Sequence, residues 1–228
     1  MAAAIGASDK VVNTFISTTA TTPGVTTTAS GSSFYVGILT GASETISSVT
    51  DSKSNGYSAV GSALTYNGAA LKMIMYKAEN GTGGASHTVS VTIGATNFLT
   101  VFFLEVTAAG AGGEDTAVRA SGEDTSSPFT VTSGTLSQAN EVLIVLGGTD
   151  STTVSALAES TGFTIAQSVL TGTSDAAGFI AAKVVSSTGT YTPSFTATGP
   201  AAMGLWITGV KDPSGAANVP KMLVLGVG

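Results

Sequence analysis

His87 is the only histidine in the 228-residue chain, so any hydroxyl–imidazole–carboxylate relay would have to be built on it. Such a relay needs a nucleophile on one side of the ring and a carboxylate on the other. The chain has no Gly-x-Ser-x-Gly elbow, and His87 stands at the mouth of an expected strand. It reads as a solvated or hydrogen-bonded strand-end residue, and no catalytic residue is assigned.

Carboxylates concentrate in one place, where Gly-Glu-Asp-Thr occurs twice, at 113–116 and 122–125. Glu114, Asp115, Glu123 and Asp124 are hard oxygen donors that could hold Ca2+ if the segment folded back on itself. The spacing lacks the glycine register of an EF-hand or a nonapeptide calcium repeat, so solvated loop charge is the plainer reading and no cofactor is assigned. The same four could pair as acid and base for glycoside hydrolysis, but nothing in the sequence fixes a separation between them. Tyr35, Tyr57, Tyr66, Tyr76, Tyr191 and Trp206 are candidate sugar-stacking platforms; most alternate within expected strands, where a core or interface role is commoner. Gly81 to Gly84 has no following helix or Lys-Ser/Thr, so it is no phosphate loop. With no cysteine, neither disulfides nor thiolate metal sites can form.

Composition narrows the class. Charged residues make up 10% and hydrophobic ones 43%, the reverse of a disordered chain. A net charge of −6 leaves no basic stripe to neutralise phosphates, so nucleic acid is not an expected partner. Apolar runs are short and broken by Thr, Ser, Gly or Glu, far below the roughly 20 residues of a spanning helix, so no membrane is expected either. The opening residues carry no basic segment before an apolar one, which points to a protein made and kept in the cytosol.

The elements that must position these residues are strands. Asn97 to Val106 is the richest apolar run, with Phe98, Phe102, Leu104 and Val106 at one parity and Leu99, Val101 and Phe103 at the other. Both faces are apolar, as expected of a strand covered on both sides. Further strands are expected over Val11–Thr19, Phe34–Thr40, Ile46–Thr50, Tyr57–Leu64, Phe129–Thr132, Glu141–Leu146, Phe163–Leu170, Phe179–Val185, Tyr191–Thr198 and Leu205–Val210. Leu71–Tyr76 and Val89–Ile93, flanking a Gly-rich turn, read as a hairpin with one core face. Ala108 to Ser127 reads as a small-residue loop, Thr152 to Ser160 as either a short helix or loop, and Pro193 as marking an edge strand or bulge. About a dozen short strands with almost no helix give an all-β fold, a single antiparallel β-sandwich.

The order Ser33–Thr40, Ile46–Ser52 running into Asn55-Gly-Tyr57, Met75–Asn80, His87–Thr92, Phe102–Val106, Asn140–Leu143 and Gly189-Thr-Tyr191 resembles the jelly-roll-like β-sandwich structural proteins of tailed bacteriophages. The resemblance covers residues 11–210. It implies a non-enzymatic virion protein of the capsid decoration (cement) type, stabilising the head shell from its surface after assembly in the host cytoplasm. It implies as partners further copies of itself, as a homotrimer, and a major capsid protein. The alternative within the same group is a tail- or fibre-associated module that binds host glycan.

The expected organisation is a lead-in over 1–10, a sandwich domain over 11–211 and a C-terminal arm over 212–228. The end of the chain is apolar and follows two prolines. It reads as an arm that adds a strand to a neighbour, with Val219, Met222, Leu223, Val224 and Leu225 as the assembly interface. A last strand of the sandwich is the other reading.

Overall fold

A computed structural model describes residues 2–13, 17–109, 112–149, 154–170, 177–200 and 202–213. The fold is the all-β antiparallel sandwich that the sequence leads one to expect, and it is built in four layers. The first half of the chain supplies β1 (Ala4–Asn13), β2 (Thr19–Thr21), β3 (Ser32–Gly41), β4 (Ile46–Asp51), β5 (Ser58–Ala59), β6 (Leu64–Tyr66), β7 (Leu71–Gly81), β8 (Val89–Ile93) and β9 (Leu99–Thr107). The second supplies β10 (Glu114–Asp124), β11 (Phe129–Thr130), β12 (Glu141–Thr149), β13 (Ser155–Glu159), β14 (Thr164–Val169), β15 (Ala177–Val185), β16 (Ser194–Thr198) and β17 (Met203–Lys211).

Each half repeats one topology. In the first, a large sheet runs β1-β9-β3-β7-β5, with β6 also on β7, and a small sheet runs β2-β8-β4. In the second, the large sheet runs β10-β17-β12-β15-β14 and the small one β11-β16-β13. Position by position the orders are the same, and β1–β9 and β10–β17 each carry a register shift towards the same end. Strands β9 and β17 have nine residues each. Laid side by side, they send matching residues to matching places: Phe102 and Trp206, and Val106 and Val210, face a central core, while Leu99, Val101, Phe103 and Met203, Leu205, Ile207 face outward cores.

The central core lies between the two large sheets. Leu39, Met75, Phe102 and Leu104 of the first half meet Val142, Ile144, Leu146 and Ile180 of the second. Each large sheet packs its other face on its own small sheet. That is why β3, β9, β12 and β17 are apolar at both parities: they are inner strands of inner layers. The small sheets instead alternate. Val89, Val91 and Ile93 point in, whereas Thr19, Thr21, Ser48, Thr50, Ser90 and Thr92 point out, with Thr19–Thr92 and Thr21–Ser90 joined hydroxyl to hydroxyl. The opposite outer sheet turns out Thr130, Thr196 and Thr198.

Several expectations are corrected. The lead-in over 1–10 is, from Ala4 onward, strand β1, which ends at Asn13. Strands β7 and β8 are no hairpin. β7 pairs with β3 in a large sheet, and β8 pairs with β2 and β4 in a small one. The chain steps between layers because β7 is apolar on both faces, Met73 and Met75 to the centre and Ile74 outward, while β8 has a single apolar face. The small-residue loop contains strand β10, and within the stretch expected as helix or loop, Ser155–Glu159 is strand β13 on β16. Pro193 precedes β16, which is the middle strand of its sheet. Asp212, placed at a break, is buried, with its carboxylate accepting the Ala3 amide at 2.9 Å.

Candidate functional site

The four acidic candidates lie on β10 and are not brought together. Glu114, where β10 starts, is buried against cations from both halves. Arg119 grips it with two nitrogens, Nη2 at 2.7 Å, from within the register shift that separates Asp115 from Ala120. Lys77 of β7 reaches its other side at 2.9 Å, and the Thr208 hydroxyl donates to it at 2.9 Å. Lys77 also holds Glu79, whose carboxylate accepts the Glu114 amide at 2.7 Å. Burial alone would raise the Glu114 carboxyl, but Arg119, Lys77 and Thr208 hold it below the ordinary range. This ladder of alternating charge bolts β7 to β10 across the seam between the halves.

Asp115 faces elsewhere, accepting the amides of Ser137 at 2.7 Å and Ala117 at 3.1 Å. Its neighbour is Glu141, the first residue of β12, which is 1% exposed. Burial pushes the Glu141 carboxyl up to about 8, with the Asp115 carboxylate adding to the shift. Glu141 therefore keeps its proton to higher pH than an exposed glutamate does. Glu123 caps the Asn67 amide at 2.9 Å, and Asp124 folds its own turn by accepting from Ser126 and Thr130. Among the described residues no group of three His, Cys, Asp or Glu side chains converges as a metal site.

His87 is fully buried and hydrogen-bonded, not solvated. Its Nε2 lies 2.9 Å from Asp51 Oδ2 and its Nδ1 2.9 Å from Thr27 Oγ1. The order hydroxyl, imidazole, carboxylate is that of a catalytic relay, yet all three side chains are closed off from solvent. Thr27 also accepts the Gly84 amide at 3.0 Å, and Asp51 accepts the amides of Lys53 and Asn55, the Asn55 side chain and the Tyr57 hydroxyl. Burial works against the Asp51 carboxylate, but these donors hold its pKa well below the ordinary value. The cluster ties three loops together at one end of the first half. Sequence inspection missed it because Thr27, Asp51 and His87 share no motif spacing.

No protein-family model, curated protein or solved structure matches this chain. The site must therefore be judged on its own geometry. The aromatic candidates are interior or half-buried: Tyr35 and Tyr66 lie in the central core, Trp206 is 3% exposed, and Tyr191 bonds its hydroxyl to the Ser187 carbonyl at 2.8 Å. The residues Val219, Met222, Leu223, Val224 and Leu225 lie outside the described residues. One recess opens on the seam, a pocket of about 260 Å³ between the turn at Gly61 and Ser62 and the segment Arg119–Ser121, floored by Trp206.

Proposed function

We propose that this protein is a non-enzymatic virion structural protein of a tailed bacteriophage, decorating the capsid and stabilising the head shell. The observation that carries this reading is the four-layer stack with a small Ser/Thr-faced sheet on either outside. Three successive cores make the body stiff, and the buried acids Glu114 and Asp115, with Asp51, hold strands and loops in place. The outer faces carry mainly hydroxyls and few charges, so a shell partner would meet them through hydrogen bonds. A protein that binds the assembled shell better than its separate subunits stabilises the shell by that difference in affinity. Partners on this reading are further copies of the chain, as a trimer, and the major capsid protein, with the segment beyond Pro213 as the attaching arm. The tail-borne glycan-binding alternative called for an exposed aromatic cluster beside the acidic stretch. The one large hydrophobic side chain exposed among the described residues is Val184.

Immunogold labelling of intact particles tests the reading. Gold spread over the head supports decoration; gold confined to the tail overturns it. Truncation should start at residue 214, since Asp212 belongs to the fold. The shortened chain should stay folded and bind heads more weakly; saturation of the particle by it would refute the arm.

A further inference from the structure

The seam pocket joins residues from distant parts of the chain. Gly61 and Ser62 come from the first half, Arg119 and Ser121 from β10, and Trp206 from β17. Its one charged group is Arg119. Arg119 spends Nε and Nη2 on Glu114, which leaves Nη1 turned towards the pocket. A methyl group placed on Gly61 would stand 3.7 Å from that Nη1 and 3.3 Å from Trp206 Cζ2. The Cζ2 edge of Trp206 thus forms the apolar floor beside Arg119 Nη1. The hydroxyls of Ser62 and Ser121 stand at the exposed mouth.

In the ladder Glu79–Lys77–Glu114–Arg119 the cation at the pocket end is Arg119, about a third exposed and fixed by its grip on Glu114. A guanidinium held in this way offers its remaining donors in a set direction, the arrangement that suits a planar oxyanion. A Gly at 61, with φ +70°, keeps the opposite wall clear of any side chain.

We propose that this pocket is a binding site for a carboxylate group, received by Arg119 Nη1 above the Trp206 indole, with Ser62 and Ser121 at the rim. The proposal is independent of the capsid reading, because it rests on the pocket alone. The carboxylate has two candidate sources, an acidic sugar or an acidic amino-acid side chain.

Trp206 is the only tryptophan in the chain, so its fluorescence reports directly on the pocket. The full chain would be titrated with acetate, glucuronate and N-acetylglutamate, with glucose as the uncharged control and ionic strength held constant with chloride. The expected result is a saturable change in Trp206 emission with the carboxylates and none with glucose. Tighter binding of glucuronate assigns an acidic sugar; tighter binding of N-acetylglutamate assigns an acidic side chain. Arg119→Gln should weaken binding by about tenfold or more. Ser121→Ile, which fills the mouth from an exposed position without touching the ion ladder, should weaken it similarly and keeps the test valid if Arg119→Gln unfolds. No saturable change with any carboxylate, or equal binding by Ser121→Ile, overturns the proposal.

Discussion

Leu146 of the second half occupies the space that Gly37 leaves in the first: a Cβ at Gly37 would come within 2.6 Å of Leu146 Cδ1. The relation is reciprocal. Leu39 lies over Gly148, where a Cβ would come within 2.9 Å of it. Gly37 and Leu146 are opposite Phe102 and Trp206, matching positions of β9 and β17, and Leu39 and Gly148 are opposite Thr100 and Gly204. The two halves thus meet as the subunits of a two-fold dimer would, through one patch that complements itself. Gly37→Val should overpack this contact and cost about 1–3 kcal/mol, read as a lower denaturation midpoint with unchanged slope. A pair of variants, Gly37→Ala with Leu146→Ala, should recover part of the loss of either alone, which a double-mutant cycle would show.

The His87 cluster contributes to the acid limit of stability. Because the Asp51 carboxyl is held below its ordinary 3.8, the unfolded chain takes up its proton first as pH falls. The stabilisation is therefore full above about pH 4 and declines below it. Asp51→Asn leaves one oxygen to face donors from His87, Lys53, Asn55 and Tyr57. It should cost about 2–3 kcal/mol at neutral pH and flatten the acid limb of a stability–pH curve. Amide exchange should quicken around residues 51–57 and 83–88.

Glu141 works in the opposite sense. Its carboxyl is raised from 4.5 to about 8, so the folded chain keeps a proton that the unfolded chain has already lost. Stability from this group declines as pH rises between those values. Glu141→Gln keeps a neutral donor beside Asp115 and should remove that decline. Thermal melts at pH 5 and pH 8 would differ less in the variant, and at pH 8 the variant should be the more stable. A variant less stable than the parent at both pH values would argue against a protonated Glu141 in the folded chain.

For calcium, the dispersal of the acids gives a definite expectation. Glu114 is taken up by Arg119 and Lys77, and Asp115 by backbone amides and Glu141. Adding millimolar calcium, or removing it with a chelator, should leave the melting temperature of the body unchanged. A calcium-dependent rise would mean that the acids regroup.

How far the sequence reveals this architecture depends on the strand. Asn97 to Val106 and Glu141 to Leu146 announce themselves as inner strands, since both parities are apolar and only a doubly covered strand tolerates that. Strand β10 is silent, because Ala, Ser, Gly and Thr alternate around one core-facing Val118. Strands β7 and β8 mislead, since neighbours in the chain commonly pair; the clue was that β7 has two apolar faces and β8 one. The repeated topology is hidden where the halves meet for a physical reason. Where two halves interlock across a dyad, the large residue of one must meet the small residue of the other, so equivalent positions such as Gly37 and Leu146 are driven apart. For the candidate site, Glu141 opening an apolar run was a readable sign of a buried acid. The Thr27–Asp51–His87 cluster and the seam pocket were not readable, because each assembles side chains far apart in sequence.

The Ala3–Asp212 hydrogen bond brings the beginning of the first half against the end of the second. The body is therefore nearly a closed ring of chain, and the order in which its halves are synthesised is not imposed by their packing. Joining positions 3 and 212 through a short linker and reopening the chain between β9 and β10 would give a circular permutant that keeps both large sheets intact.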